Sequence, residues 1–156
     1  MATLTTTIKE ELTLNGIERG STNTLSITSV NEVFQRMVTC PANQDTTIAT
    51  FKAAVNTSDG ALDLDNVKYI RVTNLDTSNE LVLSLQISSA ENGTADASTS
   101  ILVAAGRSFI MGSPHDGIAT DDDGTTVITD SNLNDLESLI VDPKASSITV
   151  ELFIAS

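Results

Sequence analysis

Apolar and polar residues alternate most regularly between positions 67 and 88. In 81–87, apolar residues occupy every second position, which predicts a half-buried strand. The run 67–74 is also typical of a strand, with apolar residues on parts of both faces. The polar run 75–79 between them carries Asp, Ser and Asn, which favour turns. We therefore predict a β-hairpin over 67–88, with the other strands beside it or stacked over it.

The same alternation closes the sequence, where aliphatic residues occupy every second position of 147–155. Shorter apolar segments predict further strands, and polar loops are predicted at 89–100 and 112–132. Many short strands joined by turns, with little helix, indicate an all-β fold, a single antiparallel β-sandwich of jelly-roll or Greek-key type. Since no repeat or linker divides the chain, we predict one domain over residues 1–156.

The N-terminal segment 1–14 carries apolar residues at even positions and is followed by Asn15-Gly16, a dipeptide that favours hairpin turns. Two interpretations remain open. The segment is either an extended arm that donates a strand to a neighbouring subunit, or an edge strand of its own subunit. The candidate residues for a subunit interface are Leu4, Ile8, Leu12 and Leu14.

Two segments show helical spacing within a β-rich chain. Val33 and Met37 are four residues apart, but the proline at position 41 favours a strand that ends there. We therefore predict a strand over 32–40. In 133–141, leucines three residues apart predict one helical turn before a strand that ends at Pro143.

Charge changes the picture more than any motif does. The chain has 8 Lys and Arg against 21 Asp and Glu, a net charge of −13, and aromatic residues make up only 3%. Such a chain is repelled by nucleic acids, whose binding depends on neutralising phosphates. The interpretation of the acidity stays open: a solvated surface that keeps the protein soluble, or else an outward-facing coat surface or one that docks on a basic partner.

Cys40 is the single cysteine, so an intrachain disulfide is excluded, and we expect it to be a small buried residue rather than a nucleophile. The N-terminus lacks a basic region followed by an apolar run, so no secretory signal is predicted. No apolar window is long enough for a transmembrane helix. We expect synthesis in a cytoplasm and no membrane partner.

Candidate chemistry is sparse. His115, the single histidine, precedes an aspartate, but neither Ser108 nor Ser113 lies in a nucleophile elbow. One histidine also excludes a multi-histidine zinc site. The remaining metal candidates are Asp121, Asp122 and Asp123, which lack the spacing of an EF-hand loop. We therefore predict no catalytic residues, no cofactor and no enzyme activity.

Three stretches carry a resemblance to a known group of proteins: the run 67–76 with its Thr-Asn-Leu-Asp turn, the strand 81–87, and 102–110 with its Ala-Gly-Arg-Ser-Phe turn. In these the chain resembles the small virion structural proteins of marine tailed bacteriophages, and the closing segment 150–156 is similar to that group as well. The resemblance implies a β-sandwich component of a phage head or tail without catalytic residues.

The sequence thus leads to a ranked set of functions. The first is a capsid decoration or cement protein, a homo-oligomer with a trimer favoured, which binds the major capsid protein or other virion proteins and is located in the virion. The second is a tail, collar or fibre module of the same particle. The third is a carbohydrate-binding or calcium-dependent adhesion module that uses the loop 112–132.

Overall fold

The computed structural model describes residues 1–52, 60–88, 97–119 and 133–156. These residues form β-strands and one short 3-10 turn, Leu64–Asn66, with no α-helix among them, so the predicted all-β class is confirmed. The strands are β1 (Ala2–Lys9), β2 (Thr13–Leu14), β3 (Ile17–Glu18), β4 (Thr22–Val30), β5 (Val33–Cys40), β6 (Thr46–Lys52), β7 (Leu62–Asp63), β8 (Tyr69–Asn74), β9 (Leu81–Ile87), β10 (Ala97–Val103), β11 (Ser108–Met111), β12 (Ile118–Ala119), β13 (Leu133–Asn134), β14 (Leu136–Asp142) and β15 (Ile148–Ala155).

The long strands after residue 30 form two sheets. Sheet I has the order β10-β9-β14-β6-β7, and sheet II has the order β11-β8-β15-β5. All pairs are antiparallel except the short contact of β7 with β6. Leaving aside the two-residue strands β7, β12 and β13, the chain from β5 onward alternates between the sheets, apart from the consecutive β9 and β10 in sheet I. This order is that of a jelly roll, one of the two arrangements predicted.

Aliphatic side chains from both sheets form one core, so the sheets pack face to face. In β9 and β15 every second residue is buried, as strict alternation requires of a strand with one face on the core. Leu83 and Leu139 of sheet I lie in the same buried cluster as Val72 and Leu152 of sheet II, and none of the four side chains is exposed. The predicted alternation at 81–87 and 147–155 is confirmed.

The predicted hairpin over 67–88 is wrong. β8 pairs with β11 and β15 in sheet II, whereas β9 pairs with β10 and β14 in sheet I. The link between them crosses from one sheet to the other, and a buried side chain holds it. Asn74 donates from Nδ2 to the carbonyls of Asn79 (2.9 Å) and Val103 (3.2 Å), and its Oδ1 accepts from the Asp76 N–H.

The helical turn predicted within 133–141 is also wrong, because this segment consists of β13 and β14. Register irregularities of β14 lie between Leu136 and Ser138 and between Leu139 and Ile140. Such irregularities insert an extra residue into a strand, so two core-facing leucines end up three positions apart. The strand predicted at 32–40 is confirmed as β5, where Cys40 is buried and burial raises the pKa of its thiol.

Residues 2–30 form a separate two-stranded ribbon, which we call the arm; the described residues from 31 onward are the body. β1 and β4 pair only with each other in the described residues, and β2 and β3 form a small hairpin at the tip. The strand expected to run through residue 14 therefore ends at Lys9. Within residues 1–52, 60–88, 97–119 and 133–156, no helix has the length and apolar character needed to cross a bilayer.

Candidate functional site

The arm presents two faces of opposite character. Its register places Leu4 opposite Ile27 and Thr6 opposite Leu25, with Ile8 next along the same face. On the other face threonines and a serine oppose one another. Because side chains of a ribbon alternate between its two faces, one face is apolar and the other is hydroxylated. The residues of this polar face are Thr5, Thr7, Lys9, Thr22, Thr24 and Ser26, and Thr6 and Asn23 are the polar residues on the apolar face.

The base of the apolar face packs on the body. Leu4 and Ile27 contact a small cluster formed by Val30, Tyr69 and Ala155 on the outer face of sheet II. Farther out the apolar face has no cover: Ile8 is 50% exposed and Leu25 is 54% exposed. A two-stranded ribbon without a covering layer is marginally stable in water. The outer part of the arm therefore exposes an apolar surface that burial against another molecule would stabilise.

The tip of the arm adds further apolar exposure. Asn15 and Gly16 both have positive φ, +53° and +77°, the geometry of the tight hairpin turn that this dipeptide favours. This turn connects β2 to β3 and confirms the turn predicted there. The tip leaves Leu12, Leu14 and Ile17 more than half exposed.

Glu18 holds the bend between the tip and the rest of the arm. Its Oε1 accepts backbone N–H bonds from Gly20 (2.8 Å) and Leu12 (3.2 Å), and its Oε2 accepts the Thr13 hydroxyl (3.1 Å). These hydrogen bonds, that from Gly20 first, lower the pKa of Glu18 below its usual value. Gly20 is required because a Cβ there would lie 1.9 Å from the Glu10 carbonyl oxygen.

Hydrogen bonds fix where the arm leaves the body. The N–H groups of Asn31 and Glu32 both donate to the Ser156 carbonyl, at 2.6 and 3.1 Å, and the Ser156 N–H donates back to Glu32 at 3.0 Å. Lys68 Nζ also donates to the Ser29 carbonyl just before this point. The two-residue link between β4 and β5 is therefore pinned, and the arm is held in one direction relative to the sandwich.

The N-terminal residues 1–30, which include the arm, are nearly neutral, whereas the rest of the chain is strongly acidic. Residues 1–30 contain three acidic and two basic residues, whereas residues 31–156 contain 18 acidic and six basic residues. The net charge is thus −1 in the first segment and −12 in the second. Two bodies repel each other over a Debye length, but an arm approaching a body does not meet that repulsion.

The outer face of sheet II carries a polar network. Arg71 Nη2 lies 2.9 Å from Glu151 Oε2, and Gln35 Nε2 donates to Glu151 Oε1 at 2.8 Å. The Gln35 hydrogen bond, followed by those of Arg71, lowers the pKa of Glu151. The Arg71 guanidinium also lies 5.9 Å from the centroid of the Phe153 ring. These contacts tie three adjacent strands of sheet II together across their exposed side.

A separate cluster of polar side chains surrounds His115. Its Nδ1 is 3.0 Å from Asp135 Oδ1 and 3.6 Å from Asp65, and its Nε2 is 3.3 Å from Asp116. Asp135 also accepts the Asp116 N–H at 2.9 Å. The Ser113 hydroxyl accepts the backbone N–H of His115 and not its ring. Both ring nitrogens therefore face carboxylates, which joins the 113–117 loop to the β13–β14 connection.

The same cluster supplies the best-placed metal ligands among the described residues. His115, Asp116 and Asp135 each offer one ligand atom, and these atoms lie within 4.8 Å of one another. Ca²⁺ takes six to eight oxygens, more than this group provides, and its members already bond to one another. The aspartates proposed from the sequence, Asp121–Asp123, lie outside the described residues.

The structure distributes the proposed interface residues over the whole arm. Leu4 is at the base, Ile8 on the open apolar face, and Leu12 and Leu14 at the tip. Sequence reasoning missed Leu25 and Ile17, which extend the same surface. The Asn15-Gly16 turn was the available signal, because a hairpin there folds the next strand back onto the first.

Comparisons with known proteins were made on this chain. No family model matches it, and no curated protein matches it. One solved structure that it resembles comes from work described as "Bacillus endospore appendages form a novel family of disulfide-linked pili", with 15% identity, 84% of this chain and 93% of that chain covered, and a TM-score of 0.40.

Proposed function

We propose that this protein is a non-enzymatic structural subunit that associates with copies of itself through its N-terminal arm. The observation that carries the proposal is the apolar face of the arm, which continues past its packed base as the exposed residues Ile8 and Leu25. Exposed contiguous apolar surface on a soluble domain marks an interaction site. The contacts of His115, which join carboxylates and not a hydroxyl nucleophile, agree with a structural role.

The near-neutral arm explains how such a subunit tolerates its charge. A net charge of −12 in residues 31–156 keeps bodies apart and soluble. Association through the arm uses an element that is exposed, apolar on one face and nearly uncharged. A contact between an arm and a different surface is heterologous, so repeated copies close into a ring or grow into a filament.

Sedimentation velocity over a range of protein concentrations tests the proposal. We expect the wild type to form oligomers and the double variant Ile8→Asp/Leu25→Asp to remain a monomer. The matched control Thr22→Asp/Thr24→Asp places the same charges on the hydroxylated face of β4, and it should assemble like the wild type. If the wild type is monomeric at all concentrations, or if the apolar-face variant assembles normally, the proposal fails.

A more specific form of the proposal is a decoration protein on a virion, arranged as a trimer and bound to a capsid protein. Its support is the resemblance of the strand and turn segments to phage structural proteins, together with the acidic surface. Mass spectrometry of intact particles with copy numbers tests it. Many copies per particle support a coat role, few copies indicate a tail or collar module, and absence from particles removes the virion role.

A further inference from the structure

One edge of sheet II is unpaired in the described part of the chain. β5 pairs with β15 on one side only. Glu32 and Ser156 exchange two hydrogen bonds, and such pairs recur at every second residue of an antiparallel ladder. The even-numbered residues of β5 therefore bond to β15. The residues whose N–H and C=O groups point away from β15 are Val33, Gln35, Met37 and Thr39.

The inner face of β5 is also incompletely covered. Phe34 and Val38 are on the core side of the strand but are only partly buried, and Arg36 between them is exposed, although its partner in β15, Leu152, is fully buried. A groove of about 320 Å³ lies at the start of this strand, lined among others by Phe34, Leu62 and Ile154. A second and more polar groove of about 140 Å³ lies beside Arg36, where Thr47 and Thr50 line it. Among the described residues, this edge thus has no hydrogen-bonding neighbour and only partial apolar cover.

From these two observations and the geometry of the arm, we propose that the free edge of β5 accepts β1 from the arm of a second copy as an added antiparallel strand. This inference rests on the proposed function and names the receiving surface. An extended strand that joins a sheet edge gains main-chain hydrogen bonds, while its alternate side chains fill the adjacent groove.

The arm has the matching free edge. Glu10 donates its N–H to the Ser21 carbonyl, at 2.8 Å, which places the even-numbered residues of β1 in hydrogen bonds with β4. The backbone N–H and C=O groups of Thr5, Thr7 and Lys9 therefore point away from β4. Both strands of the proposed pair, Ala2–Lys9 and Val33–Cys40, are eight residues long.

Backbone geometry then decides which face of the arm meets the groove. Residues that exchange hydrogen bonds across an antiparallel pair direct their side chains to the same face. On β5, the residues with free N–H and C=O groups have their side chains on the outer face of sheet II, as the 72% exposure of Met37 shows. The threonines of β1 therefore join the outer face, and Ile8 faces the inner side of the sheet, which carries Phe34 and Val38. The apolar face of the arm covers the part of β5 that its own molecule leaves open.

The arm cannot serve its own β5 in this structure. Asn31 and Glu32, the two residues between β4 and β5, are hydrogen-bonded to Ser156, which follows β15 on the side of β5 opposite its free edge. Tyr69 and Ala155 hold the base of the arm on the outer face of sheet II. A second copy provides the same strand without disturbing these contacts, and its arm brings little charge to a partner whose residues 31–156 carry a net charge of −12.

Proline substitution tests the edge directly. Met37→Pro removes an N–H that points away from β15, and edge strands tolerate proline at such positions. The matched control is Ile110→Pro on β11, the opposite edge of sheet II. There the Asn74 N–H donates to the Arg107 carbonyl, so Ile110 also points its N–H away from its neighbour. We expect Met37→Pro to raise the dissociation constant about tenfold or more, and Ile110→Pro to leave it unchanged.

Mixing two defective variants distinguishes the inference from the proposed function. Met37→Pro keeps an intact arm, and Ile8→Asp/Leu25→Asp keeps an intact edge, so each should be monomeric alone and the mixture should give a one-to-one dimer that does not grow. If the wild type assembles through the arm but Met37→Pro assembles equally well, the proposed function stands and the assignment of β5 is wrong. A wild type that stays monomeric contradicts both.

Hydrogen exchange provides a measurement that needs no variant. In the assembled wild type, the amides of Val33, Gln35, Met37 and Thr39 should become protected relative to the monomer, whereas the amide of Ile110 should not change. Protection at Ile110 with none on β5 would overturn the inference, even if Met37→Pro fails to fold.

Discussion

The body and the arm use the same antiparallel pairing, but they differ in what the pairing buries. In the body, each strand of the two sheets turns one face to a shared core, and the side chains of Leu83, Leu139 and Leu152 are fully buried. In the arm, the corresponding apolar face has a core only at its base, where Leu4 and Ile27 touch the body. Beyond its base, the strand pair of the arm is therefore held mainly by hydrogen bonds. The sheets of the body are in addition stabilised by the second layer packed against them.

The difference shows that apolar residues serve the fold in the body and are available for contact with another molecule in the arm. A buried leucine in the body contributes to the free energy of unfolding, whereas an exposed one in the arm contributes nothing to it in the free subunit. Substitutions in the two regions should thus separate into those that change stability and those that change assembly.

The largest effect on stability is expected in the shared core. Leu152→Ala removes methyl groups from a fully buried position and should lower the free energy of unfolding by about 3 kcal/mol. Urea denaturation measures this. The arm variant Ile8→Ala should change it by less than about 0.5 kcal/mol. Equal losses in the two variants would mean that the arm and the body unfold as one unit.

The second effect concerns the polar group in the core. Asn74→Ala leaves the carbonyls of Asn79 and Val103 without their Nδ2 donor in a buried place, so the free energy of unfolding should fall by about 2 kcal/mol. In the arm, Asn23→Ala should have almost no effect. A stable Asn74→Ala protein would show that the link between β8 and β9 does not depend on this side chain.

A smaller effect, confined to the arm, is expected at its bend. Gly20→Ala brings a Cβ onto the Glu10 carbonyl and should displace the tip. Amide chemical shifts should change in residues 10–21 while the body and the urea midpoint stay as in the wild type. Gly112→Ala is the control, because a Cβ there meets nothing within 4 Å. Shifts that spread into sheet II would contradict the separation of the two regions.

The smallest effect is a pH dependence of the tip. Hydrogen bonds lower the folded pKa of Glu18 below its ordinary value of 4.5. The ionised side chain therefore stabilises the tip fully above pH 4.5, and this stabilisation is lost as the pH falls through the lower folded pKa. The amides of Leu12 and Gly20 should therefore shift together on acidification, before the body unfolds. In Glu18→Gln this shared transition should be missing, and its persistence would assign the effect to another group.

The faces of the body strands could be predicted from sequence, but their partners could not. Alternation in 81–87 and 148–154 correctly identified the buried sides. The alternation of apolar and polar residues does not indicate which sheet a strand joins. The sequence therefore predicts a pairing of β8 with β9, although the two strands lie in different sheets. The irregular register of β14 likewise changed a strand pattern into an apparently helical one.

The arm shows a second limit. Leu4 and Ile8 have the spacing of a buried face, and the sequence does not record that Ile8 lies beyond the edge of the core. The contact of His115 with Asp135 was hidden for another reason, since the two residues are 20 positions apart and meet only because β12 pairs with β13.

The pairing of β5 with β15 has a consequence for the timing of assembly. The two strands come from opposite parts of the sequence, as the 116-residue separation of Gln35 and Glu151 shows. Long-range pairing of this kind forms late in folding. On the ribosome the arm emerges before the body, but the surface proposed to receive it is complete only after β15 has been made and docked. A nascent chain can therefore offer its own arm while it is still unable to accept another.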